Sequence, residues 1–167
     1  MKLVREHINE KFTEESDPIE DMGIGIKAKI KKWCKEMWID FYYINDDLTI
    51  DVTDSVDLNM EDRYPDRGHH KGFHGDELPD YIQFNAVYGD FECQSSGLKT
   101  LRGVPYYVKG NFYTSSNRLT SFKYAPKQID GDFYCYDNKG YNMKLKDERY
   151  LKKHCKIKGK IGLSIYP

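Results

Sequence analysis

The chain has no apolar run long enough to cross a membrane. Its opening residues, MKLVREHINEKF, lack the apolar stretch of a secretory signal, so the expectation is a protein made and kept inside a cell. It has almost no net charge: 26 Lys and Arg stand against 27 Asp and Glu. Bulk electrostatics therefore do not call for nucleic acid, and such a partner is not expected. It has only four cysteines, too few and too scattered for a disulfide framework. It also lacks a catalytic constellation. Gly23-Ile-Gly25 is too short for a phosphate loop and follows no strand. His7 is isolated, and His154 beside Cys155 in sequence does not place a base beside a thiol in space. The expectation is a chain that is not an enzyme and carries no cofactor.

What the chain does have is an echo at 21 residues. Val87-x-Gly89-x-Phe91-x-Cys93 is followed by Val108-x-Gly110-x-Phe112-x-Thr114, then by Ile129-x-Gly131-x-Phe133-x-Cys135. A fixed period this short means stacked supersecondary units. Within each unit the apolar residues alternate, which reads as one face of a short strand, with Tyr88, Asp90 and Glu92 pointing the other way. A glycine recurring between two inward apolar residues implies close backbone approach or a bulge. Asn117 and Asn138 sit where the chain leaves the strand, where a short amide can bond backbone groups without a strand partner. Leu98, Leu101, Leu119 and Phe122 close the units from the far side, and Pro105 and Pro126 punctuate the return. Val52-x-Asp54-x-Val56-x-Leu58 and Ile157-x-Gly159-x-Ile161-x-Leu163 are degenerate copies. The pattern resembles the leucine-rich repeat, L-x-L-x-x-N-x-L. Cys93 and Cys135 would then lie two units apart, about 9–10 Å, beyond disulfide reach.

The fold class expected is an α+β repeat: a short leucine-rich-repeat-like solenoid with a parallel β ladder, an N-terminal helical cap and a C-terminal helix-strand cap. Residues 1–14 form an amphipathic helix with Leu3, Val4, Ile8 and Phe12 on one side. Residues 15–26 read as an acidic linker containing one Pro and two Gly. Residues 27–43 read as a capping helix striped by Ile30, Trp33, Cys34, Met37 and Trp38. Residues 44–142 hold the repeats, with an insertion at 61–77. Residues 143–167 form the C-terminal cap, including a short helix whose inner face is Leu145, Tyr150, Leu151 and Cys155.

The stretch MKLVREHINEKFTEESDPIEDMGIGI resembles an N-terminal module on proteins of tailed bacteriophages and related uncultured viruses. YINDDLTIDVTDSVDL and LPDYIQFNAVYGDFEC resemble the first repeats of phage-encoded leucine-rich-repeat-like proteins. The resemblance covers nearly the whole chain except Glu61 to Glu77. It implies a virion-associated or host-interacting component, located in the host cytoplasm or incorporated in a virion, with a phage structural or host protein as partner. This copy carries few full repeats and a histidine-bearing insertion.

The outward face of the ladder is the candidate docking surface. Its rows are Tyr88, Lys109, Asp130 and Lys158; Asp90, Asn111, Asp132 and Lys160; and Glu92, Tyr113 and Tyr134. Tyrosine framed by mixed charge suits protein binding. Leu3, Ile8 and Phe12 offer a second docking face on the first helix. The alternative is a metal-binding or nucleic-acid-binding accessory protein. It would use His69, His70 and His74 of the insertion as ligands, or the basic residues of 144–160. Three glycines in that insertion favour a projecting loop instead.

Overall fold

The structure, a computed structural model, describes residues 18–59, 72–138 and 145–162. The expected helix at 1–14, with Leu3, Ile8 and Phe12, and the insertion residues His69 and His70 lie outside the described residues. Those described form an α+β fold of two helices and mostly parallel sheets.

Helix α1 spans Pro18–Glu36. Proline suits a first helical turn, where its missing N–H leaves nothing unpaired. The expected boundaries therefore shift: residues 18–26, read as linker, are the first half of the helix. Gly23 and Gly25 do not break it, because a glycine in a helix costs only about 1 kcal/mol. The C-terminal end also comes early. Trp38 takes a left-handed backbone (φ 55°). The N–H of Ile39 donates to Cys34 O (2.9 Å) and that of Trp38 to Lys35 O (3.3 Å). This pair of bonds is a Schellman closure, made here without the usual glycine. Trp38 consequently leaves the buried stripe and is 39% exposed, while Ile30, Trp33 and Cys34 stay buried. Trp33 packs edge-on against Phe84 and Phe73.

After β1 (Tyr42–Ile44) a tight turn returns the chain as β2 (Ile50–Val52), antiparallel to it. Every later pairing is parallel. The expectation of one strand per unit is corrected here. Each unit holds two short strands, one in each of two sheets. The first sheet runs β1-β2-β4-β6-β8-β10, where β4 is Phe84–Val87, β6 Tyr107–Val108, β8 Gln128–Ile129 and β10 Lys156–Ile157. The second runs β3-β5-β7-β9-β11, where β3 is Val56–Asp57, β5 Phe91–Glu92, β7 Phe112–Tyr113, β9 Phe133–Tyr134 and β11 Ile161–Gly162. The glycine marks the corner between them. Alternating burial cannot distinguish the two arrangements, because the residues on both sides of the corner, such as Val108 and Phe112, point inward and are fully buried.

The registers place Phe91 beside Phe112 and Phe112 beside Phe133. Their rings stack at 5.6 and 5.3 Å. Leu98, Leu101 and Leu119 are fully buried behind them and Phe122 nearly so. Helix α2 (Leu145–His154) buries Leu151, and Cys155 directly after it is buried too, but Tyr150, expected on the inner face, is 38% exposed.

The corner glycines are required by contact with the preceding unit. A Cβ on Gly131 would lie 2.5 Å from Asn111 Oδ1 and 2.6 Å from Gly110 O. Asp54 occupies the equivalent place in the first unit, beside the edge strand β3, where no earlier unit lies against it among the described residues. Gly131→Ala is expected to destabilise the fold by roughly 3 kcal/mol, because backbone and not a flexible side chain must move. Gly25→Ala is expected to do the opposite, adding about 0.5–1 kcal/mol, since a Cβ there meets nothing within 4 Å. Urea midpoints of the two variants check this, and shifts in the same direction would contradict it.

Candidate functional site

The three outward rows have different fates. The second row is structural. The backbone N–H of Asp90 donates to Ser55 Oγ (3.0 Å), that of Asn111 to Asp90 Oδ1 (2.7 Å), that of Asp132 to Asn111 Oδ1 (2.8 Å) and that of Lys160 to Asp132 Oδ1 (2.6 Å). Each short side chain satisfies the next unit's corner N–H, a group the bend removes from both sheets. One oxygen of Asp90, the amide oxygen of Asn111 and both oxygens of Asp132 are therefore bonded within the chain. The backbone N–H of Lys160 and the hydroxyl of Tyr134 hold the Asp132 carboxyl below its usual range.

Part of the first row is also committed. Asp130 accepts from Lys158 Nζ (2.8 Å), Gln128 Nε2 (2.8 Å) and Tyr107 Oη (3.1 Å). Lys158 foremost, then Gln128, holds the Asp130 carboxyl below its usual range as well. Tyr88 meets Tyr107 edge-on at 6.0 Å and remains 49% exposed. Lys109 is exposed.

Both carboxyls titrate lower in the folded chain than when unfolded. Their contribution is thus full above about pH 4 and is lost as pH falls through the lowered folded values. Stability to urea should decline as pH falls below about 4, and Asp132→Asn, which keeps the Oδ1 acceptor for Lys160, should decline less. Equal acid sensitivity in the two proteins would contradict this.

The third row remains as a surface. Tyr113 and Tyr134 stack at 4.9 Å with ring planes 7° apart. Asn111 Nδ2 donates to Tyr113 Oη (3.1 Å), and Tyr134 Oη donates to Asp132 Oδ2 (2.8 Å). Glu92 accepts from Asn59 Nδ2 (3.2 Å) and Gln94 Nε2 (3.0 Å). Both rings are half-buried and held at a fixed angle.

Inside the corner a second column carries the turn. Asn117 Oδ1 accepts from Leu98 N (3.0 Å), and its Nδ2 donates to Cys93 O (2.8 Å) and Thr114 O (3.1 Å). One unit on, Asn138 Oδ1 accepts from Leu119 N (3.1 Å), and its Nδ2 donates to Cys135 O (2.9 Å) and Thr114 O (3.3 Å).

Of the histidine set only His74 falls among the described residues, and it is exposed. The neighbouring carboxylate of Asp76 is engaged by Lys99 Nζ (2.8 Å) and Arg118 Nη2 (3.0 Å). Among the described residues no group of three or more His, Cys, Asp and Glu could hold a metal ion. The four cysteines are buried. Burial pushes the Cys34 and Cys93 thiols up to about 12 and Cys155 to about 11, and raises Cys135 as well. Thiols held protonated in this way are poor nucleophiles and poor metal ligands.

The structure also assembles a groove that reading along the chain missed. It measures about 450 Å³ and is lined by Arg102, Tyr106, Lys123, Tyr124, Lys127 and Tyr150, with Gln83 and apolar neighbours. The signal was present: Arg102 and Lys123, like Tyr106 and Lys127, are one 21-residue period apart. Tyr150 arrives from α2, which no local pattern reveals. No family model, no curated protein and no solved structure matches the chain.

Proposed function

We propose that the chain is a short leucine-rich-repeat-like solenoid that acts as a non-enzymatic protein-binding module. Its docking face is the row Glu92, Tyr113 and Tyr134, flanked by Tyr88 and Lys109. The observation that carries this reading is the parallel Tyr113–Tyr134 stack, with both hydroxyls already anchored. Large rings fixed before binding supply contact area at little entropic cost, which is what interface anchors require. The wholly structural role of the Asp90–Asn111–Asp132 column narrows the face to this one strip. The resemblance of the sequence to phage-encoded repeat proteins makes a phage structural protein or a host protein the partner class, in the host cytoplasm or in a virion.

The test is stoichiometric co-purification from infected cells. The double variant Tyr113→Ala/Tyr134→Ala should lose the partner, with affinity lowered on the order of a hundredfold, while keeping its circular dichroism. Retention of the partner by a folded double variant would remove the tyrosine strip as the docking face.

A further inference from the structure

The groove beside the return turns has a chemistry of its own. Three exposed cations, Arg102, Lys123 and Lys127, face it, and no carboxylate is among the described residues that line it, although the charge of nearby Glu77 acts on Arg102. Three tyrosines join them: Tyr106 is 60% exposed, Tyr124 43% and Tyr150 38%. Tyr124 is held between Arg102, at 5.3 Å from its ring centre, and Lys123, at 4.9 Å. Arg102 Nη2 also donates to its hydroxyl at 3.4 Å. Tyr124 does this from a left-handed backbone (φ 71°), at the position where the preceding unit has Gly103 (φ 87°). An L-residue with a bulky side chain is costly there, so the fold keeps an aromatic ring at a place where glycine would be cheaper.

We propose that this groove binds single-stranded nucleic acid, with Tyr106 stacking on a base and Arg102, Lys123 and Lys127 meeting the phosphates. Alternation of ring faces with cations along an open channel is what strand-tracking sites present. The guanidinium of Arg102, already laid on Tyr124, offers a second flat surface for a base. The volume suits a nucleotide-sized ligand. An acidic peptide would match the cations but leave the ring faces without a stacking partner. A neutral sugar would leave three positive charges unmatched. The near-zero net charge of the chain does not oppose the assignment, because it is a sum over the whole surface, and Asp90, Asp130 and Asp132 are not among the residues that line the groove.

The experiment is fluorescence anisotropy of a labelled oligothymidylate titrated with the 167-residue chain at low salt. Saturable binding is expected, weakening with added salt. Tyr106→Ala should lower affinity about tenfold through lost stacking. Lys127→Glu should lower it further and make the logarithmic salt slope shallower by about 0.7 or more. Both positions are exposed, so the folded state is checked by unchanged circular dichroism. Tyr113→Ala/Tyr134→Ala, which probes the separate docking face, should bind the oligonucleotide like the wild type. The proposal is overturned if the wild type shows no saturable binding, or if polyglutamate of equal charge competes as well as the oligonucleotide. Unaltered binding by both folded groove variants, or loss of binding in the Tyr113/Tyr134 variant, would also overturn it.

Discussion

Phe112→Ala should unfold the chain at a much lower urea concentration than the wild type, with a loss of about 3–5 kcal/mol. The side chain is fully buried. Its ring lies between Phe91 at 5.6 Å and Phe133 at 5.3 Å, so its removal strips a stacking partner from both neighbours. The units are joined in line, and a gap in a middle rung weakens the interfaces on both sides of it. The stacked geometry also prevents collapse into the cavity: the backbone around it is tied by the parallel bonds of Phe112 N to Asp132 O and Phe91 N to Asn111 O. Phe112→Leu, which refills much of the volume, should recover about half of the loss. A loss under about 1 kcal/mol for the alanine variant would show that the ring column is not the core of the fold.

Asn117→Ala should cost about 3–4 kcal/mol, a large effect for one polar side chain. Asn117 is buried and acts in both directions. Its oxygen holds the Leu98 N–H, and its nitrogen reaches the Cys93 and Thr114 carbonyls. Removal leaves a donor buried where water cannot reach, and each such orphan costs about 1–3 kcal/mol. Asn117→Asp should remain damaging, because a carboxylate keeps the acceptor but offers no donor to the two carbonyls and brings a buried charge. Hydrogen exchange at the Leu98 amide should accelerate in both variants. An Asn117→Asp protein as stable as the wild type would show that the carbonyl contacts contribute nothing.

These two residues also mark how far the sequence could be read. The recurrence of Phe91, Phe112 and Phe133 made them candidates for one column, and the parallel registers place them side by side. Asn117 and Asn138 were legible because an amide leaving a strand has few other uses. The corner glycines were legible as close approach, though not as the boundary between two sheets. Val108 and Phe112 alternate in burial whether the chain runs straight or bends at Gly110, so the period alone could not decide. Helix α1 was misread at both ends. Gly23 and Gly25 resemble a linker until a helix forms around them, and Trp38 resembles stripe until a left-handed closure turns it outward. The docking rows were judged by side-chain type alone, which hid the fact that Asp90, Asn111 and Asp132 serve the backbone. Net charge hid the groove, because a sum over the chain cannot show where on the surface the cations gather.

By itself, the sequence determined the repeat, its inward residues and the parallel stacking, since a 21-residue period of apolar side chains can bury them only by laying equivalent turns over one another. Where the chain bends was decided only in three dimensions. A Cβ at Gly131 is excluded by Asn111 and Gly110, residues of the neighbouring unit that lie against it only after stacking. Only the folded chain, too, sorted its polar groups into those consumed by the corner and those left at the surface, because that depends on which backbone N–H groups the bend withdraws from both sheets. The half-buried tyrosine strip and the basic groove are among the surfaces left once those internal bonds are made.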